Sequence, residues 1–406
     1  MARLTAIARL VAVLTAAAAS AFTAVPLPHA ARSTKPVVAA RMAEESSRGG
    51  LRILEWIPSQ QLLVGTAKFV VNTLWLIMVS ELAPQSKEGD YIRPAPQMGA
   101  AATWPADLPG VAGRYHVYVG NACPWCHRVS IVLALRQLSG DVISSTRLDD
   151  DPQRASRGGW CFSASDPDPL CGAADLRQVY NHCTEGGKYE GRCTAPLLVD
   201  LQTGRIISNE SGDIVRMLNS FPRETGLGSG VDLYPAHLRE EIDATNAWVY
   251  GTINNGVYRC GFATKQAAYE RAERDLHVGL ARVDEQLSTR RFLCGETLSE
   301  ADVRLLPTGA RFDGCYAAFF RCGRRQVRSD YPHLARWLRE MLELTGPALF
   351  DLDDARRSYY TNLFPLNPGG IVPAGPTPAD LGFPDAPVAR RDPSAFSYYD
   401  DRGGES

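Results

Sequence analysis

The residues of this chain best suited to chemistry are two cysteines set two residues apart in NACPWCHRVS, residues 121–130. Such a pair can be half of a zinc site, an inert or disulfide-bonded structural pair, or a thiol nucleophile with a neighbour. Zinc requires a second pair of ligands. No second CxxC and no HxxxH follows, and the cysteines at 161, 171, 183 and 193 match no metal-site spacing, so no metal is expected. The nucleophile reading has a physical basis. Pro124 suits the first position of a helix. That puts Cys123 at the helix start, where unpaired N–H groups and the positive end of the dipole stabilise a thiolate. His127 and Arg128 add positive charge to the same turn. An inert pair is the alternative that these residues alone leave open.

The elements that must position the pair are legible around it. RYHVYVG at 114–120 alternates and is rich in β formers, so it predicts a strand. The helix from Pro124 runs through VSIVLALRQL, and VISSTRL at 142–148 predicts a second strand. Residues 150–190 are loop-like, rich in Gly, Asp and Pro. TAPLLVD, TGRIIS and NESGDIVRMLNS then predict strand, strand and helix. The order β-α-β-(α)-β-β-α is that of a thioredoxin-like domain. In such folds a proline placed like Pro196 is cis, and the backbone of the preceding residue, here Ala195, pairs with a peptide-like ligand. Asn209-Glu210-Ser211 opens a helix whose hydroxyl and N–H groups suit a carboxylate, while Glu210 suits an ammonium group. Ser211 alone is equally a plain helix cap.

After Pro222 the pattern becomes helical, with expected helices at about 238–254 and 265–287 and over DYPHLARWLREML. In LSEADVRLL, Ser299 and Asp302 form a capping box, with Leu298 and Val303 as its hydrophobic staple. From Pro373 the tail is rich in Pro, Asp and Arg and is expected to be disordered at its end. The resulting domain plan has a targeting segment at 1–45, a helix and arm at 46–110, and a thioredoxin-like domain at 111–224. An all-helical domain follows at 235–350, then an extension and tail at 351–406.

With 43 basic and 45 acidic residues and a net charge of −2, the chain of 406 residues has no bulk attraction to nucleic acid or anionic membrane. Ten cysteines are too sparse for a disulfide scaffold. The N-terminus, MARLTAIAR followed by LVAVLTAAAASA, has the basic and short apolar parts of a signal peptide. A basic segment follows with no acid before Glu44. The junction ASAF at 19–22 resembles the cleavage motif of proteins imported into complex algal plastids, so a plastid stroma is expected, with the secretory pathway as the alternative. Residues 62–82, LLVGTAKFVVNTLWLIMVSEL, are interrupted by Lys68, Asn72 and Ser80. They predict an amphipathic helix packed on the body of the protein, with a membrane-surface anchor as the alternative and no stable membrane insertion.

Seven segments in one order, CPWCHR, RGGWCF, YEGRCTAPLL, SNESGDIVRMLN, INNGVYRCGFA, SEADVRLLPTGARFDGCY and NPGGIVPAGP, resemble the glutathionyl-hydroquinone reductases, the Xi class of glutathione transferases. The resemblance covers roughly 91–376. It implies the glutathione S-transferase fold: an α/β thioredoxin-like domain followed by an all-α domain. It also implies a homodimer, glutathione as cosubstrate and a glutathionylated hydroquinone as substrate. Cys123 matches the family's catalytic cysteine. Trp160, Ala195, Pro196, Glu210 and Ser211 match its glutathione-site residues, and Tyr258 and Tyr316 match tyrosines that face the hydroquinone. Three features depart from the family. Cys126 stands where the family usually has alanine and is a candidate resolving thiol, Cys193 and Ala195 replace valines, and the loop from 160 to 189 carries cysteines. Two rivals stay open at this point, an omega-like or glutaredoxin-like thiol transferase (including a dehydroascorbate reductase) and a non-catalytic ligand carrier of the same fold.

Overall fold

The computed structural model describes residues 60–95, 98, 103–156, 158–222, 225–384 and 392–399. The expected targeting segment and the last residues of the tail lie outside them. The chain falls into two units, Met1–Val71 and Asn72–Ser406. Helix α1 (Gln60–Leu82) begins in the first. Its apolar residues point to every side, and Val64, Phe69, Val71, Leu76 and Leu82 are exposed, Phe69 by 71%. Near its end Val79 is buried and Trp75 lies against the core. The expectation of an amphipathic helix is therefore corrected, since it has no apolar stripe, while its last turns do pack on the core through Val79 and Trp75. No described helix is long and apolar enough to cross a membrane.

In the second unit, alternation makes β1 (Tyr115–Val119) the centre of a four-stranded sheet. It leads into α2 (Pro124–Leu135), with Pro124 in the first turn as expected. β2 (Ile143–Arg147) pairs parallel to β1, Tyr115 opposite Ile143. The segment read as loop holds a two-stranded ribbon, β3 (Asp149–Asp150) and β4 (Trp160–Cys161). It also holds α3 (Leu176–His182), capped by Asp175 accepting from the Gln178 N–H. Elements this short carry no period to read. β5 (Leu197–Asp200) runs antiparallel to β1, and β6 (Arg205–Ser208) antiparallel to β5, giving the order β2-β1-β5-β6. Leu197, Leu198 and Val199 are wholly buried. α4 (Ser211–Asn219) lies beside α2.

The helical half comprises α5 (Arg239–Val249), α6 (Gly256–Phe262), α7 (Gln266–Thr289), α8 (Glu300–Arg311), α9 (Pro332–Thr345) and α10 (Leu352–Asn362). The single helix expected at 238–254 divides, since π-helical turns at Tyr250–Asn254 and Phe312–Tyr316 follow α5 and α8. α8 packs on α2, which joins the two halves behind Cys123. The end of the tail, where disorder is expected, lies outside the described residues. Residues 392–399 pack on the helical half with Ala395 and Phe396 buried, and the Leu298 N–H donates to the Ala395 carbonyl at 2.7 Å. Further bonds hold this segment: the Asp232 N–H donates to the Ser397 carbonyl at 2.9 Å, the Tyr399 hydroxyl to the Asn219 carbonyl at 2.7 Å, and Arg291 pairs with Asp392 at 2.8 Å.

The Asp302 half of the expected capping box is built into a buried network. Its carboxylate accepts from the Ser299 N–H at 3.0 Å, the Ser299 hydroxyl at 2.9 Å, the Leu293 N–H at 3.0 Å and the Trp337 indole N–H at 2.9 Å. Leu298 and Val303 are buried in the same core. Asp302→Asn turns an amide N–H toward these donors and is expected to lower the unfolding free energy by about 2–3 kcal/mol. A denaturant titration measures this. A loss under about 0.5 kcal/mol would mean that the network contributes nothing to stability.

Candidate active site

The chain leaves β1 at Gly120 and turns through Asn121 and Ala122 to Cys123, the N-cap of α2. Cys123 is partly exposed, and its Sγ lies 3.6 Å from the Ala195 carbonyl oxygen, to which the thiol donates. The Ala195–Pro196 peptide is cis, as expected. Burial pushes the Cys123 thiol up. The opposing influences are hydrogen bonds from the Cys126 thiol and from the backbone N–H groups of Cys126 and Trp125, together with the charge of Arg311. They win and bring it down to about 7. At neutral pH a substantial fraction is thiolate.

The source of positive charge is not the expected one. His127 is buried, and burial together with Arg311 pushes its pKa well below the ordinary value, so it is neutral. Arg311 Nη1 lies 3.2 Å from His127 Nδ1, which makes that nitrogen the acceptor. Arg128 donates to the Arg304 carbonyl at 2.9 and 3.2 Å and lies over the Trp125 ring. The cation acting on Cys123 is Arg311, fully buried at the end of α8. It donates to the carbonyls of Ala122 at 3.2 Å, Asn121 at 2.5 Å and Pro307 at 3.1 Å, and makes no ion pair among the described residues. In VRLLPTGARFDG it is one of two arginines, and nothing local sets it apart from Arg304.

A cavity of about 160 Å³ has Ala195, the residue whose carbonyl meets the Cys123 thiol, in its wall; Cys123 itself is not among the lining residues. Ala195, Pro196, Glu210 and Ser211 all line it, together with Asn209 and Trp125. Glu210, not Ser211, is the N-cap of α4, and its carboxylate accepts from the Gly212 N–H at 3.0 Å and the Ser211 hydroxyl at 3.3 Å. The site therefore pairs one carboxylate with the N–H groups of a helix start, suited to an ammonium and a carboxylate side by side. Tyr91 and Arg93 complete the wall, Arg93 lying 4.1 Å over the Trp125 ring. They come from the arm between the first helix and the sheet, where a composition rich in proline and glycine gave no sign of a binding role.

Trp160 stands apart from this cavity. A Cβ at Gly120 would lie 2.2 Å from its ring, so the indole rests directly on the backbone of the loop that carries Cys123. Its other side faces a separate, larger groove of about 950 Å³ shared with Asn121 and α10.

Tyr258 and Tyr316 are brought together, and with them a third tyrosine. The Tyr359 hydroxyl lies 2.8 Å from that of Tyr258 and 3.0 Å from that of Tyr316. Burial raises the pKa of Tyr258 against the hydrogen bond with Tyr359, and the charge of Cys123 adds to the rise; the Tyr258 ring stacks on that of Trp125 with centroids 6.3 Å apart. Tyr316 is wholly buried against Phe320. Tyr359 lies on α10, in the region taken for a C-terminal extension, and nothing in RRSYYTN marks it. Among the described residues no cluster of three or more His, Cys, Asp or Glu could hold a metal ion.

Comparison with known proteins fits this geometry. Residues 122–220 match the glutathione S-transferase N-terminal domain, and 266–340 match its C-terminal domain. The glutathionyl-hydroquinone reductase PcpF of Sphingobium chlorophenolicum is 42% identical over 297 residues, 72% of this chain and 91% of that protein. Its counterpart YqjG of Escherichia coli is 39% identical over 272 residues, 65% of this chain and 79% of that protein. The glutathione transferase Xi of Phanerochaete chrysosporium superposes with a TM-score of 0.65 at 37% identity, covering 72% of this chain and 95% of that one. The glutathione-bound structure of YqjG gives a TM-score of 0.63 at 34% identity, over 72% and 92% of the two chains. On these matches the chain belongs to the Xi class of glutathione transferases.

Proposed function

We propose that the protein is a glutathione-dependent reductase that removes glutathione from glutathionyl-hydroquinones. The observation that carries the reading is the hydrogen-bonded cluster of the Tyr258, Tyr359 and Tyr316 hydroxyls, with the Tyr258 ring stacked on Trp125 two residues after Cys123, for which simple thiol exchange has no use. The names of the relatives PcpF and YqjG support the same substrate class.

In this reading Glu210 and the start of α4 take the ammonium and carboxylate of the γ-glutamyl group, Ala195 pairs its backbone with the ligand, and Arg93 adds a cation. The Cys123 thiolate attacks the sulfur of the glutathionylated ring. The new bond is the Cys123–glutathione disulfide, and the ring carbon leaves with the electron pair of the broken C–S bond. That carbon must gain a proton. Tyr258, whose pKa burial raises, keeps its proton at neutral pH and donates. Tyr359 and Tyr316 hold its hydroxyl in place. A second glutathione then attacks the mixed disulfide, releasing glutathione disulfide and the Cys123 thiolate.

Turnover of glutathionyl-menadiol with glutathione tests this. Tyr258→Phe is expected to lower menadiol release about 10- to 100-fold, with a much smaller loss in the reduction of a small glutathione mixed disulfide. Equal losses in both reactions, or no menadiol release by the wild type, would instead support an omega-like thiol transferase.

A further inference from the structure

Cys126 takes no part in the steps above, yet it stands three residues from Cys123, the spacing that sets two side chains on one face of a helix. Both belong to one apolar cluster, Cys126 within it and Cys123 packed against it. Cys126 is 1% exposed, while Cys123 is reachable from solvent. An incoming disulfide therefore meets Cys123 first, with Cys126 waiting on the protein side. We infer that Cys126 is the second thiol of a dithiol couple: it attacks the Cys123–glutathione mixed disulfide at the Cys123 sulfur, expels glutathione and leaves a Cys123–Cys126 disulfide. This gives the protein a second activity, a dithiol route for reducing glutathione mixed disulfides. It rests on Cys123 being the nucleophile, as in the proposed function.

The step balances without any outside oxidant. The Cys123–glutathione S–S bond breaks and the Cys123–Cys126 bond forms. The electron pair of the broken bond leaves on the glutathione sulfur, which takes up the proton given up by Cys126. Glutathione closes the cycle. One molecule reopens the protein disulfide at Cys123, a second attacks the resulting mixed disulfide, and glutathione disulfide leaves while both protein thiols are restored.

The surroundings of Cys126 make the step conditional. Burial, the hydrogen bond to Cys123 and the negative charge of the Cys123 thiolate hold the Cys126 thiol well above its ordinary value. With Cys123 free, Cys126 therefore stays protonated and serves as a donor that activates its neighbour. Once Cys123 carries glutathione, that negative charge is gone, while the Arg311 charge continues to favour a Cys126 thiolate. Burial, the largest of the three influences, persists, so the mixed disulfide removes only the share of the penalty that Cys123 itself imposes.

The test avoids hydroquinones altogether. The full chain and Cys126→Ser are treated with glutathione disulfide at neutral pH, quenched with acid, and read by intact mass and peptide mapping. Serine keeps a hydroxyl donor toward Cys123 but cannot form a disulfide, and Cys126→Ala serves as a second variant should serine impair folding. The expected glutathione adduct on the wild type is about one-tenth or less of that on Cys126→Ser, because attack within one turn outruns attack from solution. The peptide holding Cys123 and Cys126 is expected to be two hydrogens lighter. A wild-type adduct as abundant as that on the variant overturns the proposal, as does a disulfide from Cys123 to Cys193, which lies in the same apolar cluster. Absence of both adduct and disulfide from both proteins would overturn the assignment of Cys123 itself, and the proposed function with it.

Discussion

Cys123→Ser is expected to remove menadiol release by about 10³-fold or more. The reason is chemical. Serine has no accessible anion near neutral pH and cannot form the mixed disulfide through which glutathione leaves the ring. Because Cys123 is partly exposed and serine keeps a hydroxyl in its place, the same change is expected to alter stability by no more than about 0.5 kcal/mol. A melting curve beside the activity assay separates the two effects. The wild-type thiol makes a companion prediction. With its pKa near 7, alkylation of Cys123 rises with pH through that value, since the thiolate is the form above the pKa. An unperturbed thiol begins to react only around pH 8.5. An alkylation midpoint at 8.5 or above would remove the electrostatic account of the site.

Arg311→Met is expected to lower kcat/KM at pH 7 by about 100-fold, through two effects of comparable size. The first is the loss of a buried positive charge that has no ion-pair partner among the described residues and favours the Cys123 thiolate. The second is the loss of the donors that hold the Asn121 and Ala122 carbonyls, and with them the turn into α2. The pH profile divides them. Raising the pH restores the thiolate and with it the electrostatic share, while the positional share persists. Arg311→Lys retains the charge but not the planar fork, so it is expected to recover the alkylation midpoint more fully than the turnover. An unchanged midpoint in Arg311→Met would show that Arg311 is merely structural. Met roughly matches the stem of Arg in volume, so the guanidinium contact with the Phe350 ring is the main packing lost.

What the sequence by itself determined follows from rules that act over a few residues. Alternation from 115 to 119 specifies β1, Pro124 specifies where α2 begins, and Ser299 with Asp302 specifies the start of α8. Each depends only on neighbours in the chain. Cys123 was legible for the same reason, because a helix start creates its own field for a thiol. Ala195, Pro196, Glu210 and Ser211 were legible as residues opening a strand and a helix, and they meet in one cavity. Tertiary structure alone decided the rest. Arg311 reaches Asn121 across 190 residues of chain, and Tyr359 meets Tyr258 across 101. No local period records a contact at such distances. His127 shows the difference most clearly. In the sequence it is a positive charge beside the thiol, and in the folded protein it is buried against Arg311, where two cations cannot share a dry pocket and the imidazole stays neutral.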